Sequence, residues 1–171
     1  MRYGTRTQLK RRWTPKGHRP ACPVKIGYEF GYLYTAICPF TGDLFVLMLP
    51  SMKKECFEIF GREFAAHLRE RQPPQPMEKT LLIVDGAGSH QESALGQASL
   101  LQLEKLPPAC PELNPVERFF QELRRELSNQ VFETTRAVEK RIQEILKKYW
   151  DEPSLIIRLT SYSYINTTNL F

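Results

Sequence analysis

At 171 residues, with 42% hydrophobic and 25% charged residues, the chain suits one compact domain with a real core. No run approaches the roughly 18 apolar residues of a membrane helix, and Met1-Arg2-Tyr3-Gly4 opens no secretory leader. Cys22, Cys38, Cys56 and Cys110 lack the C-x-x-C spacing of a zinc site or a disulfide framework, and four free thiols fit a reducing cytoplasm.

The net charge of +5 is unevenly spread. No acidic residue precedes Glu29, whereas that stretch holds eight of the 24 basic residues, Arg2, Arg6, Lys10, Arg11, Arg12, Lys16, Arg19 and Lys25. The rest of the chain, with 16 basic and 19 acidic residues, carries −3. A positive arm on a near-neutral body favours a polyanion. The plainer reading is a solvated tail, or an edge strand kept soluble by its cations.

In chain order, Thr5 to Trp13 reads as that edge strand or arm, and Thr14 to Pro20 as a turn. Tyr28 to Cys38 and Asp43 to Leu49 are β-type runs about Pro39-Phe40-Thr41-Gly42, which predicts an antiparallel hairpin. Ser51 can cap a helix to about Arg71 that buries Phe57, Phe60, Phe64 and Leu68 on one stripe. Gln72 to Pro76 reads as a rigid connector. Leu81-Leu82-Ile83-Val84-Asp85 is then a strand buried on both faces. A marginal helix near Gln91 to Gln97 and a strand near Leu100 to Leu103 follow. Two amphipathic helices come next. One places Val116, Phe119, Phe120, Leu123 and Leu127 on one face, and the other, Thr135 to Trp150, buries Val138, Ile142, Ile145 and Tyr149. A short helical turn and Tyr162 to Ile165 close the chain. The order predicts an α/β fold with a mixed sheet covered by helices.

Two acids stand out. Asp85 ends its strand, and ligands in open α/β sheets sit beyond the carboxyl ends of strands. Glu117 lies 32 positions later, just inside a helix start. Two carboxylates so placed can be aimed at one divalent cation against a phosphodiester. Each also has a local explanation: Asp85 as an Asx-turn before Gly86, Glu117 as the far end of an Asn114-x-x-Glu117 capping box with Pro115 at the first helical position. Gly86-Ala87-Gly88 is no phosphate loop. Ser89 has no nucleophile-elbow pattern, and His90 is a candidate phosphate contact or water activator.

These segments resemble a known family. Leu81 to His90 looks like its strand-Asp-x-x-x-x-His segment. Leu106-Pro107-Pro108 through Pro111-Glu112-Leu113-Asn114-Pro115-Val116-Glu117-Arg118-Phe119-Phe120 is similar to its long "LPPxxPxLNPxExxW/F" signature. The family is the mariner-related bacterial insertion-sequence transposases with a DDE catalytic domain, and the resemblance covers nearly the whole chain. It implies a ribonuclease H-like mixed sheet flanked by helices. It further implies Mg²⁺- or Mn²⁺-dependent cleavage and transfer of DNA strands, with transposon ends and target DNA as partners. Asp85 matches the second acid of the triad and metal site, and Glu117 the third. DNA contacts are expected from Arg6, Lys10, Arg11, Arg12, Lys16, Arg19 and His90.

There are two departures. Gly86 stands where the family often has Asn. The segment that follows the first Asp looks like Arg2-Tyr3-Gly4, so that Asp and the first central strand are expected before Met1, and the helix-turn-helix region is absent. Glu29 and Asp43 are not placed to substitute. The expectation is residues 1–171 as a partial catalytic domain, inactive alone. It would be cytoplasmic and bacterial, with a homodimer or an upstream transposase fragment as possible partners. The competing readings are a non-catalytic DNA-binding remnant of a transposase and an unrelated α/β interaction domain.

Overall fold

The computed structural model describes residues 1–71, 79–88, 90, 91, 93, 95 and 100–162. The connector Gln72 to Pro76, most of the Gln91 to Gln97 segment and the Ser163 to Ile165 tail lie outside them.

Strand β1 (Arg2–Gly4) pairs antiparallel with β2 (Phe30–Ile37), and β2 with β3 (Leu44–Leu49). The predicted hairpin is thus present, turning at Gly42, whose φ of +74° suits a residue without Cβ. Alternation along the hairpin sorts its side chains onto two faces. Leu33, Leu44, Val46 and Met48 meet one core, while Tyr34, Ala36, Phe45 and Leu47 meet the other. The sheet therefore lies between two helical layers.

Helix α1 (Lys54–Arg71) covers the second face with Phe57, Phe60 and Phe64. It begins later than predicted, and Ser51 is not its cap: the Ser51 Oγ lies 3.2 Å from Cys56 Sγ. Strands β4 (Thr80–Val84) and β5 (Leu101–Lys105) form a separate parallel pair. Among the described residues there are two sheets, not one mixed sheet. Nor is β4 buried on both faces. Val84 is buried and Leu82 packs on the α1 core, but Leu81 and Ile83 remain 53% and 51% exposed.

Helices α2 (Pro115–Leu127), α3 (Thr135–Asp151) and α4 (Ser154–Thr160) cover the first face. Phe119, Leu123, Ile142 and Ile156 are fully buried there, as the helical period of the sequence predicts. Thr134 caps α3 by accepting a hydrogen bond from the Ala137 N–H at 3.2 Å.

Strand β1, three residues long, forms on the β2 edge. Met1 extends that ladder, its amine donating to the Leu33 carbonyl (2.7 Å) and its carbonyl accepting from the Leu33 N–H (2.7 Å).

Candidate functional site

The end of β4 puts Asp85 at the start of a tight loop. Its Oδ1 accepts from the Ala87 N–H at 3.3 Å, the Asx-turn foreseen from sequence, and lies 2.6 Å from His90 Nδ1. His90 Nδ1 also lies 3.3 Å from the Asp85 carbonyl, and its ring sits 4.7 Å from that of Phe57. The imidazole is therefore wedged between α1 and the carboxylate. The contacts of that carboxylate among the described residues fall on Oδ1, leaving Oδ2 available. The structure places His90 against Asp85 rather than with the basic arm.

Glu117 sits one turn into α2, but the capping box is not formed. Asn114 Oδ1 caps the helix by accepting from the Val116 N–H at 3.1 Å. The Asn114 N–H donates instead to the Pro111 carbonyl at 3.0 Å, within the turn Pro111–Leu113. The backbone donor that would have held Glu117 is already satisfied, so its carboxylate is free for other work. Its ion-pair partner is Arg124, 3.8 Å away and 37% of the Glu117 side chain is exposed. Sequence reasoning missed Arg124; its spacing of seven residues, two helical turns, is the signal that would have found it.

The Met1 amine feels the charge of both acids. Burial pushes its pKa from 8.0 down to about 6, and Arg124 pushes the same way, while Glu117 and Asp85 pull it back up. Between pH 6 and pH 8 the unfolded chain binds a proton that the folded chain excludes. Stability should therefore rise with pH across that window, by about 2 kcal/mol. Urea midpoints at the two pH values measure it, and acetylating the amine should flatten the difference.

Asp43 is engaged elsewhere, paired with Arg71 and, at 3.5 Å, with His67. Arg6, Lys10, Arg11, Arg12, Lys16 and Arg19 are all exposed on a segment, residues 5–29, that is neither helix nor strand. Asn129, which follows α2 with a φ of +61°, fixes that segment. Its side chain accepts from the Lys10 N–H (3.0 Å) and donates to the Lys10 carbonyl (3.1 Å). Its carbonyl accepts from Arg12 (3.3 Å). Lys25, by contrast, is held at 2.6 Å by Glu133. Trp13 stands fully exposed among the cations.

Residues 1–139 match the DDE superfamily endonuclease family. The chain belongs to the DDE superfamily endonucleases. A curated relative of this DDE domain, the uncharacterized protein y4pE/y4sA of Sinorhizobium fredii (strain NBRC 101917 / NGR234), is 33% identical over 104 residues, 60% of this chain and 73% of that protein. Solved structures with the same fold include the Mos1 transposase paired-end complex with left transposon end (TM-score 0.66, 17% identity). The Mos1 strand transfer complex gives a TM-score of 0.67 at 17% identity, and the Mos1 mariner paired-end complex with Mn gives 0.63 at 18%. Each match covers 94% of this chain, which spans 49%, 48% and 52% of those chains. The DDE domain is therefore ribonuclease H-like, as its sequence leads one to expect, and about half the length of those transposases.

Proposed function

We propose that this chain is the catalytic portion of a transposase, acting in metal-dependent cleavage and transfer of DNA strands. The observation that carries the reading is that residues 1–139 match the DDE superfamily endonuclease family and include both Asp85, at the end of β4, and Glu117, whose carboxylate is not held by a capping box. Their oxygens are hard donors suited to Mg²⁺ or Mn²⁺, and Asp85 Oδ2 and the freed Glu117 carboxylate would hold the ion. A cation bound there supplies Lewis-acid activation of water or a 3′ hydroxyl and neutralises charge on the leaving oxygen. His90 fixes the orientation of Asp85, as an outer partner of a metal ligand does. Arg124 offsets the charge of Glu117 while no cation is present. Calorimetric titration with Mn²⁺ tests the donor set: binding should be lost with Asp85→Asn or Glu117→Gln, and affinity unaffected by both changes would refute it.

The second reading, a DNA-binding domain without catalysis, has its own support. It rests on the exposed cations Arg6, Lys10, Arg11, Arg12, Lys16 and Arg19 of residues 5–29. Both readings need the arm to hold DNA. About five phosphate contacts from its exposed cations give a log–log salt slope of about −4 to −5, with little sequence preference. Fluorescence anisotropy on a short duplex across a salt series measures the slope. Affinity that ignores salt would remove the arm from the DNA interface.

A further inference from the structure

Residues 5–29 leave the body of the fold as an arm whose two legs are tied together at the base. The Thr5 N–H donates to the Glu29 carbonyl (3.1 Å) and the Thr7 N–H to the Lys25 carbonyl (3.0 Å). The Lys25 N–H donates in return to Thr7 Oγ1 at 2.9 Å. Beyond that stem every residue from Gln8 to Ala21 is exposed. Exposed chain of this kind is ordinarily loose, yet hydrogen bonds hold it on both sides of Trp13. On the amino side Asn129 clasps both backbone groups of Lys10, and its carbonyl accepts from Arg12. On the carboxyl side Thr14 Oγ1 donates to the His18 carbonyl, and the His18 N–H to the Pro15 carbonyl, both at 3.0 Å. Gly17 shapes that turn with a φ of +87°.

The indole of Trp13 contributes nothing to the core. It is fully exposed, and among the described residues its ring meets no other ring and its N–H no acceptor. A ring that can cover roughly 150–250 Å² is thus held out in water on fixed backbone. Its neighbours along the chain are cations: Arg11 and Arg12 precede it, and Lys16 and Arg19 follow within six residues. Arg12 is engaged by Asn129. Arg11, Lys16 and Arg19 form no ion pair among the described residues and are left for a ligand. A flat apolar face between cations suits a polymer that carries flat rings on a negatively charged backbone, which is nucleic acid. Inside a duplex each base face is covered by the next base pair. An indole reaches such a face only where a base is unpaired.

We infer that Trp13 is a stacking platform for an unpaired base of DNA, with Arg11, Lys16 and Arg19 holding phosphates on either side of that base. The inference rests on the reading of the arm as a DNA contact, and names what its tip recognises. That is a single-stranded or locally opened stretch, not the duplex. It depends on neither metal binding nor catalysis.

The test measures anisotropy of the full chain with two labelled DNAs, a run of about twelve thymidines and a blunt duplex of equal length, within the range of known single-strand site sizes. Trp13→Ala should weaken the single strand about tenfold, the loss expected for one base stack, and the duplex less than twofold. Trp13→Phe should keep most of the single-strand affinity. Because Trp13 is fully exposed the variants should fold, which circular dichroism checks. The chain has two tryptophans, so Trp150→Phe leaves Trp13 as sole reporter, and single strand should quench its emission where duplex does not. Equal weakening of both DNAs by Trp13→Ala, or of neither, would overturn the stacking and leave the arm as a phosphate contact. No binding of either DNA by the unaltered chain would overturn the arm as a DNA contact, and the stacking with it. A dimer in sedimentation that Trp13→Ala dissociates would assign the indole to a second copy and overturn the stacking as well.

Discussion

Incubated with supercoiled plasmid and Mg²⁺ or Mn²⁺, the purified 171-residue chain should leave the DNA intact. Joining an apolar strand that ends in Asp directly ahead of Met1 should switch nicking on by three orders of magnitude or more, about 4 kcal/mol of barrier. The physical reason lies at the end of β1. Two cations bridging one scissile phosphate need carboxylates enough to fix both positions and offset their charge. The proposed function supplies two, Asp85 and Glu117, and the Met1 amine is held in the β2 ladder. Replacing that amine by a peptide bond with a carboxylate beside it changes a proton acceptor into a metal ligand. Asp85→Asn and Glu117→Gln in the extended chain should each return nicking to background. Robust nicking by the unextended chain would show that the first acid lies elsewhere within it.

Phe119→Ala should cost about 3–5 kcal/mol, enough to consume a large part of a typical domain's 5–15 kcal/mol. Phe119 has no exposed surface, stacks edge-on with Tyr149 at 5.2 Å, and joins α2 to α3 within the larger core. Nothing near it can collapse without moving one of those helices. Phe119→Leu, which keeps most of the volume, should cost about 1 kcal/mol. Denaturant titration separates the two. A loss below 1 kcal/mol for the alanine variant would mean the α2–α3 interface is looser than its burial indicates. Because Glu117 is two residues away on the same helix, the alanine variant should also abolish Mn²⁺ binding at temperatures where the leucine variant retains it.

The parts of this molecule that carry their own period were legible in the sequence. The hairpin announced itself by two β-type runs and Gly42, and α2 and α3 by apolar residues every three or four positions. Asp85 and Glu117 stand out as candidates because each closes or opens such an element. What escaped depends on pairing at long range. β1 has three residues, too few for any pattern, and exists because β2 offers it an edge. The aliphatic run of β4 looks buried on both faces, yet Leu81 and Ile83 are exposed, and among the described residues no third strand adjoins them. The Asn114-x-x-Glu117 pattern resembles a capping box, but the Pro111 carbonyl reaches the Asn114 N–H first, a competition decided by the preceding turn. Asn129 carries no motif at all, and its role in fixing the arm follows from a left-handed backbone conformation and a distant partner.

The division of the interior into two cores has a consequence for the pair of acids. Asp85 follows a strand whose buried residues belong to the α1 cluster, whereas Glu117 rides on a helix of the α2–α3–α4 cluster. Packed clusters of this kind tend to open as separate cooperative units. A divalent ion held by both acids would then act as a latch across the seam, bound tightly only while the two halves are closed together. By mass action it would suppress opening of either half, and a protein that had let go of one half would let go of its metal at the same moment. Competence for DNA chemistry would in that way report on the integrity of the whole fold.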